Sequence, residues 1–252
     1  MSTVAKALSV LETLADMPGE PGLTQIARTV KLDKATTHRM LVELEKFGFI
    51  EQDLTTRCYR LGNAPVRLAH IRESRYPFLD VVLPQIRRLA AETNETVHLS
   101  RFISGRLATV HVTESTHANR VTIPSGAILP LHATASGIAF LSALPMAERN
   151  ALLGDALETF TAQTVVSRTI LEQTIRDAVE RGYSASQSGF DLGVSSVAAP
   201  ILNNRNHPIG TVAVACPETR MSPPEIEKYG AMVAQTARDV TRAYWGTKQK
   251  AG

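Results

Sequence analysis

Apolar residues recur at helical spacing three times within the first fifty positions. Val4, Ala7, Leu8, Leu11 and Leu14 or Ala15 trace one amphipathic helix, which the breaker Pro18-Gly19-Glu20-Pro21-Gly22 ends. Ile26, Ala27 and Val30 supply the buried side of a second helix of about two turns, with Thr24 placed to act as its N-cap. Asp33 caps a third. At 100° per residue that helix puts Thr37, Met40, Leu41 and Leu44 on one side and Ala35, Thr36, Arg39 and Glu43 on the other. The pattern then changes to alternation in FIEQDLTTRCYRL. Ile50 and Gln52, then Cys58 to Leu61, flank a polar Leu54-Thr55-Thr56 connection, as in a two-stranded wing.

Gly62-Asn63-Ala64-Pro65 interrupts the second wing strand, and Pro65 fits the first turn of a new helix with Val66, Leu68, Ala69 and Ile71 as its apolar members. Tyr76-Pro77 is expected to end it. That apolar side is too thin for a core and suits packing on another subunit or on the flanking domains. From Phe78 onward helices and strands alternate. Helices are expected at Leu79 to Glu92, Ala133 to Leu144, Leu171 to Arg181 and Pro223 to Trp245. Strands are expected at Thr96 to Arg101 and Leu107 to Val112 across Ser104-Gly105, and at Val194 to Leu202 and Ile209 to Cys216 across Asn203 to Asn206. Hairpin-paired strands with helices outside them indicate an antiparallel sheet in an α+β domain.

Composition changes this picture little. The 252 residues are 44% hydrophobic, enough for one large or two modest domains, each with its own core. No apolar run reaches the roughly 18 residues of a membrane span, and Lys6, Glu12 and Asp16 interrupt the block a signal peptide would need. A cytoplasmic protein is expected. Cys58 and Cys216 lie far apart in sequence and suggest neither a disulfide framework nor a cysteine zinc cluster.

Charge matters locally rather than globally. The net charge is +3, yet residues 1 to 73 carry ten Lys or Arg against nine Asp or Glu. Within Arg28 to Arg39, however, Arg28, Lys31, Lys34 and Arg39 meet only Asp33, and Arg57 and Arg60 form a second basic cluster. A helix edge that mixes small residues with Arg and a hydroxyl fits a major groove about 12 Å wide, and its free first-turn N–H groups suit phosphate. Three helices followed by a basic hairpin define a winged helix-turn-helix.

Other chemistry has weaker support. His98, His111 and His132 match no short metal-ligand spacing, so no metal is expected. Ser136 lies four residues from His132 without a glycine-framed nucleophile elbow or an orienting acid. No Walker-type or dinucleotide glycine loop occurs, and no cofactor is called for.

The stretch GLTQIARTVKLDKATTHRMLVELEKFGFIEQD, followed by RCYRLG, resembles the DNA-binding half of the IclR family of bacterial transcriptional regulators. The ordered succession Leu23-Thr24, Ile26-Ala27, His38-Arg39, Leu41, Leu44, Gly48, Tyr59-Arg60 and Leu61-Gly62 carries the likeness. Leu129 to Gly137, Arg181-Gly182-Tyr183, Gly193 and Val197 to Pro200 similarly resemble the family's effector-binding domain, which has a GAF-like fold. Ala35 stands where Ser is common, Thr37 where an apolar residue is common, and Ile138 where Lys is common. Ser186-Gln187-Ser188 replaces a frequent acidic run, and Ser196 lies near a frequent Cys.

The resemblance implies a winged helix-turn-helix over residues 1–62, a linker helix over 63–76 and an α+β, GAF-like effector-binding domain over 77–252. It implies DNA contacts from Thr24, Lys34, Ala35, Thr36, His38, Arg39, Arg57 and Arg60. A ligand pocket would draw on Ala118, Val121, Leu129, Ala135, Ser136, Ser186, Ser196, Ala213 and Ala215, with simple core packing as the alternative role for each. The expected function is a ligand-responsive transcriptional regulator of the repressor type. It would bind a pseudo-palindromic operator in double-stranded DNA as a homodimer or homotetramer and respond to a small organic or aromatic acid. The competing reading is a sensor or enzyme whose N-terminal domain serves protein contacts only.

Overall fold

The computed structural model describes residues 2–75, 78–154 and 156–246, without the side chains of residues 72, 73, 245 and 246. Two compact units emerge, Met1–Pro77 and Phe78–Gly252. The expected helix stop at Tyr76-Pro77 lies outside the described residues.

In the first unit, α1 (Thr3–Asp16) starts at Ser2, whose hydroxyl accepts from the Ala5 N–H. Helix α2 (Leu23–Val30) begins two residues earlier than a Thr24 cap would place it. Gly22 is the N-cap and offers no side-chain bond, so Thr24 sits exposed inside the first turn. The tight Gly22–Cys58 bridge to the wing sets that entry. Helix α3 (Lys34–Lys46) is capped as expected: the Asp33 carboxylate accepts from the Thr36 N–H at 2.8 Å. Val10, Leu14, Ile26, Met40, Leu41, Leu44, Ile50 and Tyr59 close one core among the three helices and the hairpin β1 (Ile50–Gln52) and β2 (Tyr59–Leu61). Helix α4 (Ala64–Arg75) buries Ala64 but leaves Val66, Leu68 and Ile71 exposed.

The second unit is a five-stranded antiparallel sheet between helical layers. Its strands are β3 (Thr96–Ile103), β4 (Arg106–Thr113), β5 (Ser184–Gln187), β6 (Val194–Leu202) and β7 (Pro208–Pro217), in spatial order β4-β3-β7-β6-β5. The alternation of each strand splits the core. Val97, Leu99, Val197, Ala199, Ile201, Val212 and Val214 face α5 (Phe78–Thr93) and α9 (Pro223–Gly246) in one cluster. Ala198 and Ala213 pack against Ala135 and Ala139 of α6 (Ala135–Ser142) on the other side. Methyl-sized residues at that contact let α6 lie close to the sheet.

Helix α6 is also pressed against its own approach loop. A Cβ on Gly137 would stand 2.4 Å from Leu131 Cα, so only glycine fits there. Outside it lie α7 (Met146–Leu153) and α8 (Arg168–Arg181), and Leu107, Ile138, Phe140, Leu141, Leu171 and Ile175 fill this second core. Gly182 ends α8 with φ +78°, the left-handed turn that the Arg181-Gly182-Tyr183 sequence supplies.

Candidate DNA-binding surface and effector cavity

Helix α3 exposes Lys34, Ala35, His38, Arg39, Val42 and Glu43 and buries Thr37, Met40, Leu41 and Leu44. Thr36 departs from the expected arrangement. It belongs to the buried side, at 9% exposure, and its hydroxyl accepts from Arg39 Nη2 at 3.3 Å. The residue sits between the two faces, and an inward tilt lets it order the arginine above it. The Thr36 N–H bond holds the Asp33 carboxyl below its usual range, so the cap stays charged at the start of the helix.

The wing turn is fixed by Asp53, whose carboxylate accepts from the Thr55 and Thr56 N–H groups at 2.8 and 2.7 Å. Arg57 takes a left-handed conformation, φ +58°, and its side chain is exposed. Thr24, His38 and Arg57 border one surface depression together with Gln25 and Gln52. A second depression joins Arg39, His38 and Thr36 to Lys6 of α1. Arg60 has a different setting: its guanidinium meets Glu51 at 3.3 Å and Glu20 at 3.7 Å. Lys6, Gln25 and Gln52 are not among the DNA contacts expected from the sequence, because no motif marks a lone Lys or Gln whose neighbours come from other elements.

In the second unit a cavity of about 100 Å³ lies beside the start of α6. Val121, Leu129, Ser136, Ser186, Ser196 and Ala215 line it, together with His98, Thr134, Phe190 and Asp191. Three other residues named from the sequence are not in its wall. Ala135 and Ala213 have no exposed surface and serve the close contact of α6 with the sheet, and Ala118 is exposed in the segment after β4.

Hydroxyls position this wall. Thr134 caps α6 by accepting from the Gly137 N–H at 2.9 Å and donates to Pro130 O. Ser184 donates to Ala135 O at 2.6 Å and Ser186 to Ala133 O at 3.1 Å, tying β5 to the helix start. Thr96 Oγ1 donates to Val121 O at 2.7 Å, holding the opposite wall. Among the described residues, Asp191 is the one formally charged member of the lining, and no Lys or Arg joins it.

The three histidines diverge. His132 Nε2 bonds Glu158 O at 2.8 Å, His111 Nε2 pairs with Thr113 Oγ1 at 3.1 Å, and His98 Nε2 pairs with Ser136 Oγ at 3.1 Å. The imidazole beside Ser136 is therefore His98 and not His132. Burial pushes His98 down to about 4, and among the described residues its Nδ1 has no hydrogen-bond partner, so none of them supplies the acid of a nucleophilic triad. Among the described residues no group of three His, Cys, Asp or Glu side chains is placed to hold a metal ion.

The chain thus carries a winged helix-turn-helix and a sheet domain with a small, partly open cavity beside α6. The chain belongs to the IclR family of bacterial transcriptional regulators: the IclR helix-turn-helix domain model matches residues 3–54, and the bacterial transcriptional regulator IclR C-terminal model matches residues 73–242. The acetate operon repressor of Salmonella typhimurium is 30% identical over 252 residues, 98% of this chain and 92% of that protein. A putative IclR transcriptional regulator from Silicibacter is 32% identical, with a TM-score of 0.87 over 97% of both chains. An IclR homolog from Microbacterium hydrocarbonoxydans, solved with 4-hydroxybenzoate, shares the fold at 21% identity, with a TM-score of 0.78 over 96% of this chain and 99% of that one. As a member of that family the protein is a DNA-binding transcriptional regulator. Among the described residues no helix is long and apolar enough to cross a membrane.

Proposed function

We propose that the chain is a cytoplasmic repressor that binds a pseudo-palindromic operator as a homodimer or homotetramer and responds to a small metabolite held beside α6. The observation that carries the DNA contact is the edge of α3, where Lys34, Ala35, His38 and Arg39 are exposed and His38 borders one depression with Thr24 and the wing residue Arg57. A helix edge of that make-up admits close approach, with Arg39 reaching a base edge and Arg57 a phosphate. Thr36 supports this surface from beneath by bonding Arg39. The exposed Leu68 and Ile71, neighbours three residues apart on α4, and the exposed Val66 support self-association, since apolar side chains are costly to leave in water.

The effector is a small molecule with an apolar body and at least one oxygen acceptor, a description that a small organic or aromatic acid meets. Val121, Leu129 and Ala215 supply the apolar wall, and the 4-hydroxybenzoate held by the Microbacterium homolog gives a precedent of that size. With no cation in the lining, a carboxylate would be met by neutral donors at the start of α6.

Footprinting of the purified protein on the DNA upstream of its own gene, with and without candidate acids, tests the reading. Protection is expected over two half-sites whose centres are about one helical turn, roughly 34 to 36 Å, or a multiple apart. Binding should weaken steeply with salt. Sequence-specific protection that persists unchanged in Arg39→Ala would reject the recognition surface.

A further inference from the structure

We infer that His98 acts as a positioning residue for the effector: its Nε2–H donates to Ser136 Oγ, committing the Ser136 hydroxyl proton to an oxygen acceptor on the ligand. This rests on the reading of the α6 cavity as the effector site and adds which atom recognises the ligand and why.

The two side chains are buried, with 4% of His98 and 2% of Ser136 exposed, and both contribute to the cavity wall. Their contact is the 3.1 Å bond between His98 Nε2 and Ser136 Oγ, and among the described residues Nδ1 has no partner. Strand parity explains why His98 is there. Val97 and Leu99 face α5 and α9, so His98 must face α6, between Val112 of β4 and Ala213 of β7. Neither cross-strand neighbour can ionise, and Asp191 is the charged residue that shares the cavity. Burial keeps the ring neutral at physiological pH, so it carries one proton and adopts one of two tautomers.

The alternatives differ in what they leave buried and unpaired. With the proton on Nδ1, a buried N–H donor has no acceptor. With the proton on Nε2, only a lone pair lacks a partner, and orphaned donors are the rarer and costlier defect. The Nε2–H form therefore prevails, and Ser136 Oγ accepts from it. A serine in a helix usually spends its own proton on a carbonyl one turn back. Thr134 and Ser142 do so, donating to Pro130 O at 2.9 Å and Ala139 O at 2.8 Å. Among the described residues the Ser136 hydroxyl makes no such bond, and its single hydrogen-bond partner is His98. Its hydroxyl proton remains for a ligand in the cavity it lines. The chemical class selected is a molecule whose carbonyl, carboxamide or carboxylate oxygen reaches the start of α6.

Long-range ¹H–¹⁵N correlation of the imidazole nitrogens, assigned by comparison with His98→Gln, reads the tautomer in the full-length protein at pH 7. The Nε2–H pattern is expected for His98, and an Nδ1–H or doubly protonated ring overturns the inference without any ligand. Binding is then measured by calorimetry with pyruvate, pyruvamide, 4-hydroxybenzoate, 4-hydroxybenzamide and p-cresol, so that acid, amide and acceptor-poor arms are separated. Ser136→Ala should weaken an acid or amide that binds by about tenfold and p-cresol hardly at all. His98→Leu should lose part of the same affinity, and His98→Gln, which keeps an N–H donor, should restore it. Saturable binding indifferent to Ser136→Ala overturns this inference and leaves the effector reading intact. Failure of every probe to bind the folded protein overturns both.

Discussion

The two units place their chemistry on opposite sides of their cores. In the first, the core of Ile26, Leu41 and Ile50 is a platform, and the proposed DNA contacts Lys34, His38, Arg39 and Arg57 stand in solvent. In the second, the proposed effector contacts His98, Ser136 and Ser196 line a cavity among residues that also hold the sheet to α6. A substitution on the DNA surface should therefore change binding and spare stability, whereas one at the cavity should change both. The difference is physical: exposed charges contribute little to folding, and buried polar groups contribute through desolvation.

The largest effect expected from this contrast is at Gly137. Gly137→Ala forces a methyl against the Leu131 backbone and should cost the second unit roughly 3 kcal/mol or more. Denaturation followed separately in the two units should show the loss in the second alone. Equal loss in both units would break the contrast at its base.

Next comes pH. His98 is neutral in the folded protein and titrates near 4, whereas the unfolded side chain titrates near its ordinary 6.5. The unfolded state thus binds the extra proton between these values. The stability is fully present above 6.5, falls as pH drops through the window, and levels below about 4. The linked loss is roughly 3 kcal/mol. His98→Gln should flatten that part of the profile while leaving the acid response of Asp33 and Asp53, both held below the usual carboxylate range by backbone N–H bonds, in place.

Arg39→Ala tests the other side. It should lower operator affinity about tenfold to a hundredfold, chiefly by relaxing discrimination at one base pair, and leave the melting temperature near that of the parent. Titration of operator and mismatched DNA at fixed salt, beside a thermal melt, reads both quantities.

The same contrast explains what was legible in the sequence. The helices of the first unit and the Asp33 cap followed from periodicity, because a small core leaves each helix one apolar stripe. Thr36 was misplaced since its angular position lies between the faces, and the packing rather than the period decides its tilt. In the second unit, strands β3, β4, β6 and β7 were visible as alternating runs, but β5 reads Ser-Ala-Ser-Gln and carries no apolar signal. Helix α7 has eight residues and a Pro145 N-cap without a side-chain bond, too little for a start signal. Parity alone put His98 opposite Val97 and Leu99, yet only the fold shows that its face carries the cavity. Phe190 and Asp191 reach the wall from a loop held by Thr161 Oγ1 to Ser188 O and Thr164 Oγ1 to Gly189 O, contacts 25 residues or more apart in sequence. No local pattern encodes such a contact.

The smallest effect separates two arginines that the sequence treats alike. Arg57 and Arg60 both lie in the basic wing cluster, and both are exposed. Among the described residues, Arg57 has no carboxylate partner, whereas Arg60 already meets Glu51 and Glu20 and is held more basic by them. An arginine engaged by two carboxylates brings little net positive potential to a phosphate, and transferring it to DNA would break those pairs. Arg57→Ala should therefore reduce the slope of log affinity against log salt by about 1 per subunit. Arg60→Ala should change the slope less and operator affinity by about twofold at most. Equal slopes for the two variants would mean that the acidic partners release Arg60 when DNA arrives. In that case Glu51→Gln should strengthen binding, which gives the comparison a second reading on the same titration.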